Sequence, residues 1–325
     1  MIELNASVFE QFDRDGYVVV HGLLDVEQDI QPVVREYDTL LDRLAKQWQN
    51  EGRLSSTYDG MPFCERLARV IVEAEVMYDL HFDISLPQVD ITEETPMHHG
   101  PAVFDLVRSP RLLDVVEQFI GPEIYSNPVQ HARIKLREHI LPEASRTGLT
   151  AQIAWHQDLG VVTEDANDVD MLTVWFPITR STIENGCLAV IPGSHRGELA
   201  LHCRSRDPLT LNQVCIPASM ILEEGVPLPM EPGDVLFMHR RTQHSGTINR
   251  SDEVRWSFDL RYQPIGQPTG RPWFPGFIAR SRANPASELT NAAEWAESWR
   301  KARRELAHSD EVAFNRWKQG DPRCA

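Results

Sequence analysis

The chain has 325 residues, of which 42% are hydrophobic and 25% are charged, as is typical of a soluble globular protein with a sizeable core. Its formal net charge is −16, and no block of lysine and arginine interrupts the acidic composition. We therefore expect no nucleic-acid partner.

The first 122 residues are predicted to be mainly helical. In chain order, the patterns predict a helix over 6–14, a strand over 17–20, and helices over 25–49, 61–82 and 102–120. Asp25 is a suitable N-cap for the second helix, because its side chain can accept hydrogen bonds from free backbone N–H groups. Gly121-Pro122 ends the last of these helices.

From about residue 123 the pattern changes to short β-rich runs bounded by Gly, Pro, Asn and Asp. The predicted strands are 129–137, 152–157, 171–178, 187–191, 213–216, 227–230, 234–238, 244–249 and 254–262. Their number and spacing favour a mainly β fold with added helices, a double-stranded β-helix of the cupin-like jelly-roll type. An amphipathic helix is predicted over 288–307.

We expect residues 1–325 to form a single domain. A helical cover over about 1–122 precedes a jelly-roll core over about 123–262, and a C-terminal loop and helix occupy about 263–325. Long irregular segments beside a β scaffold, such as 91–101 and 264–276, are typical places for substrate contacts.

The motif Trp155-His156-Gln157-Asp158 ends an apolar run and is the most informative feature of the sequence. Side chains alternate faces along a strand, so His156 and Asp158 are predicted to point to the same side. One imidazole and one carboxylate supply two ligands of a 2-His-1-carboxylate triad, which holds non-haem Fe(II) with open positions. His244 is the candidate third ligand, because a jelly roll brings strands distant in sequence together.

Arg255 shares one face of the predicted strand 254–262 with Ser257 and Asp259, whereas apolar residues share the other face. A buried arginine needs a partner because an unpaired buried charge is costly. A dicarboxylate co-substrate would satisfy the planar guanidinium through a bidentate contact. Arg133 lies on the polar face of the predicted strand 129–137, which either lines the barrel and meets an acidic group or faces solvent.

The ordered set of motifs resembles the phytanoyl-CoA dioxygenase family of Fe(II)/2-oxoglutarate-dependent oxygenases. The matching segments are Phe12-Asp13-Arg14-Asp15-Gly16-Tyr17-Val18-Val19, Trp155-His156-Gln157-Asp158, Val174-Trp175-Phe176-Pro177-Ile178, Glu184-Asn185-Gly186-Cys187-Leu188, Ile191-Pro192-Gly193-Ser194-His195, Pro232-Gly233-Asp234-Val235, and His244-Ser245-Gly246 followed by Arg255. Each segment alone is a weak signal, but their order over residues 10–262 is specific.

The resemblance implies a role for each matching residue. The implied iron ligands are His156, Asp158 and His244, and the implied partner of the distal carboxylate of 2-oxoglutarate is Arg255. Gln157 and Trp175 match positions that contact the co-substrate in family members. Ser257 and Arg133 are further candidates for co-substrate contact because of the strand faces on which they lie. Family members often carry a hydroxyl two residues after the distal histidine, where this chain has Gly246. Ser245, Thr247 and Ser257 are therefore alternative hydroxyl partners for Arg255.

The activity implied by the resemblance uses Fe(II), 2-oxoglutarate and O2 to hydroxylate an unactivated C–H bond, with release of succinate and CO2. Desaturation and ring formation are variants of this reaction, whereas halogenation is disfavoured because halogenating relatives have a small residue at the position of Asp158. We expect a free small molecule of secondary metabolism as the substrate, because no Gly-rich phosphate loop or basic cluster favours a CoA thioester.

Two other functions stay open at this stage. A non-catalytic or non-oxidative cupin-like β-barrel that binds a metal or ligand would keep the same scaffold. A cupin-like zinc or manganese enzyme, such as an isomerase or hydrolase, would use the same ligands without O2. The complete ligand set together with Arg255 favours the oxygenase.

The cysteines and the N-terminus predict the location of the protein. Five cysteines, at 64, 187, 203, 215 and 324, form no Cys-x-x-Cys motif, so we expect neither a disulfide framework nor a zinc site. The start of the chain lacks the basic and apolar segments of a signal peptide, and no apolar run is long enough to span a membrane. We therefore expect a cytoplasmic protein without membrane contact, in an oligomeric state that the sequence leaves open.

Overall fold

A computed structural model of the chain describes residues 2–141, 152–309, 312–317 and 324. The helices are α1 (Ala6–Asp15), α2 (Gln31–Asn50), α3 (Phe63–Ala74), α4 (Asp79–Phe82), α5 (Pro101–Val107), α6 (Pro110–Ile120) and α7 (Ala292–Ala307). The strands are β1 (Tyr17–Val20), β2 (Glu123–Lys135), β3 (Ile153–His156), β4 (Leu172–Pro177), β5 (Leu188–Val190), β6 (Cys203–Arg204), β7 (Val214–Cys215), β8 (Val226–Leu228), β9 (Val235–His239), β10 (His244–Gly246), β11 (Arg255–Pro264) and β12 (Phe277–Ser281).

Antiparallel strands form the centre of the fold. A six-stranded sheet has the order β1-β9-β4-β11-β2-β12, a four-stranded sheet has the order β3-β10-β5-β8, and β6 and β7 form a small pair. Every pair of strands in the described part of the chain is antiparallel. The prediction of a mainly β fold with flanking helices is confirmed.

The outer face of the six-stranded sheet packs against the N-terminal helices. Trp256 and Phe258 alternate with polar residues along β11 and are fully buried. The ring of Tyr37 in α2 packs at a tilt against Trp256, with ring centroids 4.7 Å apart. Each such side chain contributes about 1.5–3 kcal/mol of transfer free energy, and truncation of Trp256 to Ala would cost about 3–5 kcal/mol.

The inner faces of the two large sheets meet in a second, smaller cluster. Trp175 of β4 packs there with Leu188 and Val190 of β5, and all three side chains are buried. The six-stranded and four-stranded sheets therefore enclose an interior between them. The polar inner residues of β2 and β11 line the same interior.

The predicted helix over 25–49 begins with a π-helical turn, Val26–Ile30, which leads into α2. Asp25 caps this turn as predicted, accepting hydrogen bonds from the backbone N–H groups of Glu27 and Gln28. The predicted helix over 102–120 is divided into α5 and α6, because Pro110 begins a new helix after Ser109.

Two strands were not predicted, β6 and β12. β12 is an edge strand on β2, and its buried residues alternate with half-buried ones over only five positions. β6 has two residues, too few for any periodic signal. In addition, β2 begins at Glu123, several residues before the predicted start of this strand at 129.

The sequence predicted no disulfide framework, but the structure contains a disulfide that joins Cys203 to Cys324 across a sequence separation of 121 residues. The fold brings the C-terminal cysteine back to β6, which the spacing of cysteines in the sequence cannot show. Cys64, Cys187 and Cys215 are free thiols. None of the helices within the described ranges is both long and apolar enough to cross a membrane.

Candidate functional site

The two candidate histidine ligands face each other across neighbouring strands. His156, the last residue of β3, is paired in register with His244, the first residue of β10, and their ring centroids are 4.2 Å apart. β10 also pairs with β5, so it is held on both sides. The antiparallel pairing of β3 and β10 thus juxtaposes residues that are far apart in sequence, as predicted.

Backbone hydrogen bonds orient both imidazole rings in the same way. Nδ1 of His156 lies 2.8 Å from the carbonyl oxygen of Ala154, and Nδ1 of His244 lies 3.0 Å from that of Thr242. Because a carbonyl accepts, each Nδ1 must carry the proton, and each Nε2 is left with a free lone pair. This is the tautomer that metal-ligating histidines use.

Asp158 completes the cluster. Its Oδ1 lies 3.7 Å from Nε2 of His156 and 3.9 Å from Nε2 of His244. The three candidate ligand atoms all lie within 4.8 Å of one another, and Asp158 is buried. Within the described ranges, it is the one cluster of His, Cys, Asp and Glu side chains that could hold a metal ion.

The protonation states suit metal binding. Burial and the neighbouring His244 lower the pKa of His156 well below its usual value, so its imidazole is neutral. Burial alone would raise the pKa of Asp158, but Arg261 and the two histidines outweigh it and hold that pKa below its usual value. Two imidazoles and one carboxylate on the same side fit Fe(II) with open positions for further ligands.

Two residues that the sequence reasoning missed hold the Asp158 carboxylate. Nη2 of Arg261 donates to Oδ1 at 2.5 Å, and the hydroxyl of Thr173 donates to Oδ2. Arg261 also pairs with Asp259 and donates to the carbonyl oxygen of Val129. The alternation that places Arg255, Ser257 and Asp259 on one face extends to residue 261, so a signal for Arg261 was present.

Arg255 lies on the inner face of β11 and is buried. Its Nη1 donates to the hydroxyl oxygen of Ser257 at 2.5 Å, and its Nε donates to the carbonyl oxygen of Gly186 at 3.2 Å. Its guanidinium carbon lies 5.8 Å from the centre of the Trp175 ring, a cation–π distance. The structure therefore brings Arg255, Ser257 and Trp175 together, as the sequence led us to expect.

The structure distinguishes between the three hydroxyls that were candidates for contact with Arg255. Ser245 donates to the carbonyl oxygen of Ile153, and Thr247 donates to that of Cys187. Ser257 is the one of the three that bonds to the arginine.

The amide group of Gln157 forms hydrogen bonds to two loops, and its contact with the co-substrate stays a prediction. Its amide nitrogen donates to the carbonyl oxygen of Arg241 at 2.7 Å, and its amide oxygen accepts from the backbone N–H of Ala200 at 2.8 Å. His156 and Asp158 point inward, and the residue between them points the other way. Gln157 therefore ties two loops to the segment that carries the ligands.

Arg133 is half-buried and is paired in register with Ser257, so its strand face lines the interior and does not lie in bulk solvent. Its Nε lies 3.9 Å from Oδ2 of Asp259. Lys135, two residues further along the same face, is almost fully buried and is paired in register with Arg255.

Trp317 packs beside the segment that carries the candidate ligands His156 and Asp158. Trp317 stacks on His202 and donates its indole N–H to the carbonyl oxygen of Gly160. Nε2 of His202 accepts in turn from the backbone N–H of Gln157, and burial lowers the pKa of His202 to about 4. These contacts support the backbone next to His156 and Asp158.

Comparison with known proteins is consistent with this geometry. The model of the family phytanoyl-CoA dioxygenase (PhyH) matches residues 12–257, which include all three candidate ligands and Arg255. The chain belongs to the phytanoyl-CoA dioxygenase family. The resemblance found in the sequence motifs is thereby confirmed.

Individual relatives are distant. The chain is 26% identical over 264 residues to a probable phytanoyl-CoA dioxygenase of Caenorhabditis elegans, covering 80% of this chain and 75% of that protein. It is also 26% identical to the 1-deoxypentalenic acid 11-beta-hydroxylase of Streptomyces arenae, covering 58% and 68%. Against the human peroxisomal phytanoyl-CoA dioxygenase, the identity is 27% and the match covers 53% of this chain but only 49% of that protein.

A solved structure shares the fold. The epimerase SnoN, in complex with Fe3+, alpha ketoglutarate and nogalamycin RO, matches with a TM-score of 0.51 and 20% identity, covering 97% of this chain and 95% of that chain. At this level of identity the likeness shows the fold alone.

Proposed function

We propose that this protein is an Fe(II)- and 2-oxoglutarate-dependent oxygenase that hydroxylates an unactivated C–H bond of a small molecule. The observation that carries the proposal is the convergence of two oriented histidines and Asp158 in an interior that also contains Arg255. Arg255 is buried without an ion pair to any carboxylate in the described residues, as expected for a residue that pairs with an acidic ligand.

Each residue has a defined task in this proposal. His156, Asp158 and His244 would hold Fe(II), which supplies the redox chemistry that couples oxidative decarboxylation of 2-oxoglutarate to C–H hydroxylation by O2. Arg255, fixed by Ser257 and Gly186, would bind the distal carboxylate and so orient the co-substrate. Arg261 and Thr173 hold the Asp158 carboxylate in one orientation, which keeps Oδ1 directed at the metal position.

We infer that the substrate is a free small molecule of secondary metabolism. One relative, a hydroxylase from Streptomyces arenae, is named for a free carboxylic acid and not for a thioester. The acidic net charge of −16 also disfavours a strongly anionic substrate such as an acyl-CoA. Desaturation and ring formation stay possible outcomes of the same chemistry, and the reaction products distinguish them from hydroxylation.

The proposal is tested by measuring succinate formed from 2-oxoglutarate by the iron-loaded protein in air, alone and with a panel of metabolites. We expect slow succinate formation without substrate, faster formation with the true substrate, and loss of both in His156→Ala and Asp158→Ala. His308→Ala changes an exposed histidine that pairs with Glu93 and serves as the matched control. Succinate formation that survives in the ligand variants would contradict the proposal, as would its absence from wild-type protein with every compound.

A further inference from the structure

Two buried cations lie opposite each other on the inner face of the large sheet. Lys135 and Arg255 are partners in the register of β2 and β11, and their exposed fractions are 1% and 2%. Like charges placed directly opposite in a sheet repel each other, and unpaired buried charges are costly. In the described part of the chain neither side chain forms an ion pair with a carboxylate.

The nearby acids already have other partners. Arg261 pairs with both Asp158 and Asp259. Arg133 lies 3.9 Å from the second oxygen of Asp259. After these pairings, Lys135 and Arg255 are the two inner-face cations that have no acidic neighbour at ion-pair distance.

The ammonium group of Lys135 does not use all of its hydrogen-bond donors on backbone carbonyl groups. Its Nζ donates to the carbonyl oxygens of Gly246 at 3.1 Å and Thr247 at 2.5 Å. An ammonium group has three donors, so one is left for a ligand. Burial, followed by the charges of Arg255 and Arg133, lowers the pKa of Lys135 well below its usual value, and a bound anion would reverse this effect.

Gly246 explains why the amine lies at this place. A Cβ atom added to Gly246 would lie 3.3 Å from Nζ of Lys135 and equally close to Cβ and Cγ1 of Ile153. Gly246 is two residues after His244 on β10, so its missing side chain points to the same interior, roughly 7 Å further along the strand. The amine thus fills the space beside the position where a side-chain hydroxyl at residue 246 would lie.

We propose that Lys135 is a second cationic contact for the distal carboxylate of 2-oxoglutarate, next to Arg255, and that it replaces a hydroxyl at residue 246. One carboxylate oxygen would accept from the guanidinium group and the other from the ammonium group. This inference rests on the proposed function and deepens it, because it makes the pocket selective for a dicarboxylate over a 2-oxo acid with an apolar tail.

The test compares the dissociation constants of 2-oxoglutarate and 2-oxovalerate, which has the same chain length but no distal carboxylate. Both are measured by calorimetric titration of Fe(II)-loaded protein without O2, so no turnover is required. In Lys135→Gln, an amide donor can still serve the two carbonyl groups but the charge is lost. We expect 2-oxoglutarate to bind roughly 10- to 100-fold more weakly and 2-oxovalerate to change by less than about twofold.

A rescue experiment tests the replacement of the hydroxyl. The first substitution, Lys135→Met, removes the amine. It is combined with Gly246→Ser in one double variant and with Gly246→Ala in the other. Both double variants place a Cβ at residue 246, so they differ only in the hydroxyl group. We expect the serine variant to bind 2-oxoglutarate roughly fivefold more tightly than the alanine variant, and equal affinities would overturn the replacement.

The outcomes separate this inference from the proposed function. If wild-type protein binds iron but not 2-oxoglutarate, the proposed function fails. If wild-type protein prefers 2-oxoglutarate over 2-oxovalerate and Lys135→Gln keeps the same preference, only the role of Lys135 fails. An equal loss of affinity for both ligands in Lys135→Gln would show that Lys135 merely supports the backbone, and it would also overturn the inference.

Discussion

Thr173 offers a sharp test of how the carboxylate ligand is held, because valine has nearly the same shape. Thr173 is buried on β4, and its hydroxyl donates to Oδ2 of Asp158. Thr173→Val removes this bond without leaving a large cavity and keeps a β-branched residue in the strand. A hydrogen bond to a charged group contributes about 1.5–3 kcal/mol, so we expect the metal-free protein to lose that amount of unfolding free energy.

The same substitution should weaken iron binding roughly 10- to 100-fold, because partners of a ligating carboxylate fix its orientation. Urea denaturation measures the stability, and competition with a coloured chelator measures the iron affinity. Thr179→Val is the control, since that hydroxyl bonds only to backbone groups of Val254 and Trp256. It should reduce stability but leave iron affinity unchanged. The reasoning is refuted if Thr173→Val binds iron as tightly as the wild type, or if both variants lose affinity equally.

Three further predictions concern the co-substrate, the disulfide and the metal. Arg255→Met should weaken 2-oxoglutarate binding by roughly 30-fold or more while iron affinity stays unchanged, as measured by calorimetry; an unaltered co-substrate affinity would contradict the role of Arg255. Cys203→Ser should lower the unfolding free energy by about 2–4 kcal/mol without reductant, and reductant should lower the wild type equally, which urea denaturation checks. Removal of iron by a chelator should lower the unfolding temperature reversibly in wild-type protein but not in Asp158→Ala.

The candidate iron ligands His156 and Asp158 could be predicted from the sequence because strand alternation is a local rule. His156 and Asp158 point to the same side even though Asp158 lies beyond the end of β3, in the short 3₁₀ helix Asp158–Val161. The order of the family motifs then indicated His244 and Arg255. The fold class followed from the same strand pattern.

Other features depended on contacts that no local pattern shows. The amide of Gln157 bonds to loops near residues 200 and 241, so its direction depends on where those loops lie. The ion pair between Arg261 and Asp158 joins β11 of the six-stranded sheet to the 3₁₀ helix that follows β3. Lys135 lies on the same face of β2 as Arg133, but only the register with Arg255 shows that two cations meet there.

The most direct test of the central claim is the visible difference absorption spectrum on adding 2-oxoglutarate to the Fe(II)-loaded protein without O2. We predict a new charge-transfer band, because a 2-oxo acid that binds through its carboxylate and keto oxygens can chelate iron held by the triad. Glutarate, which lacks the keto group, should give no band, and neither should Asp158→Ala. The absence of a band from iron-loaded wild-type protein, or an equal band in Asp158→Ala, would contradict the assignment of His156, Asp158 and His244 as the iron site.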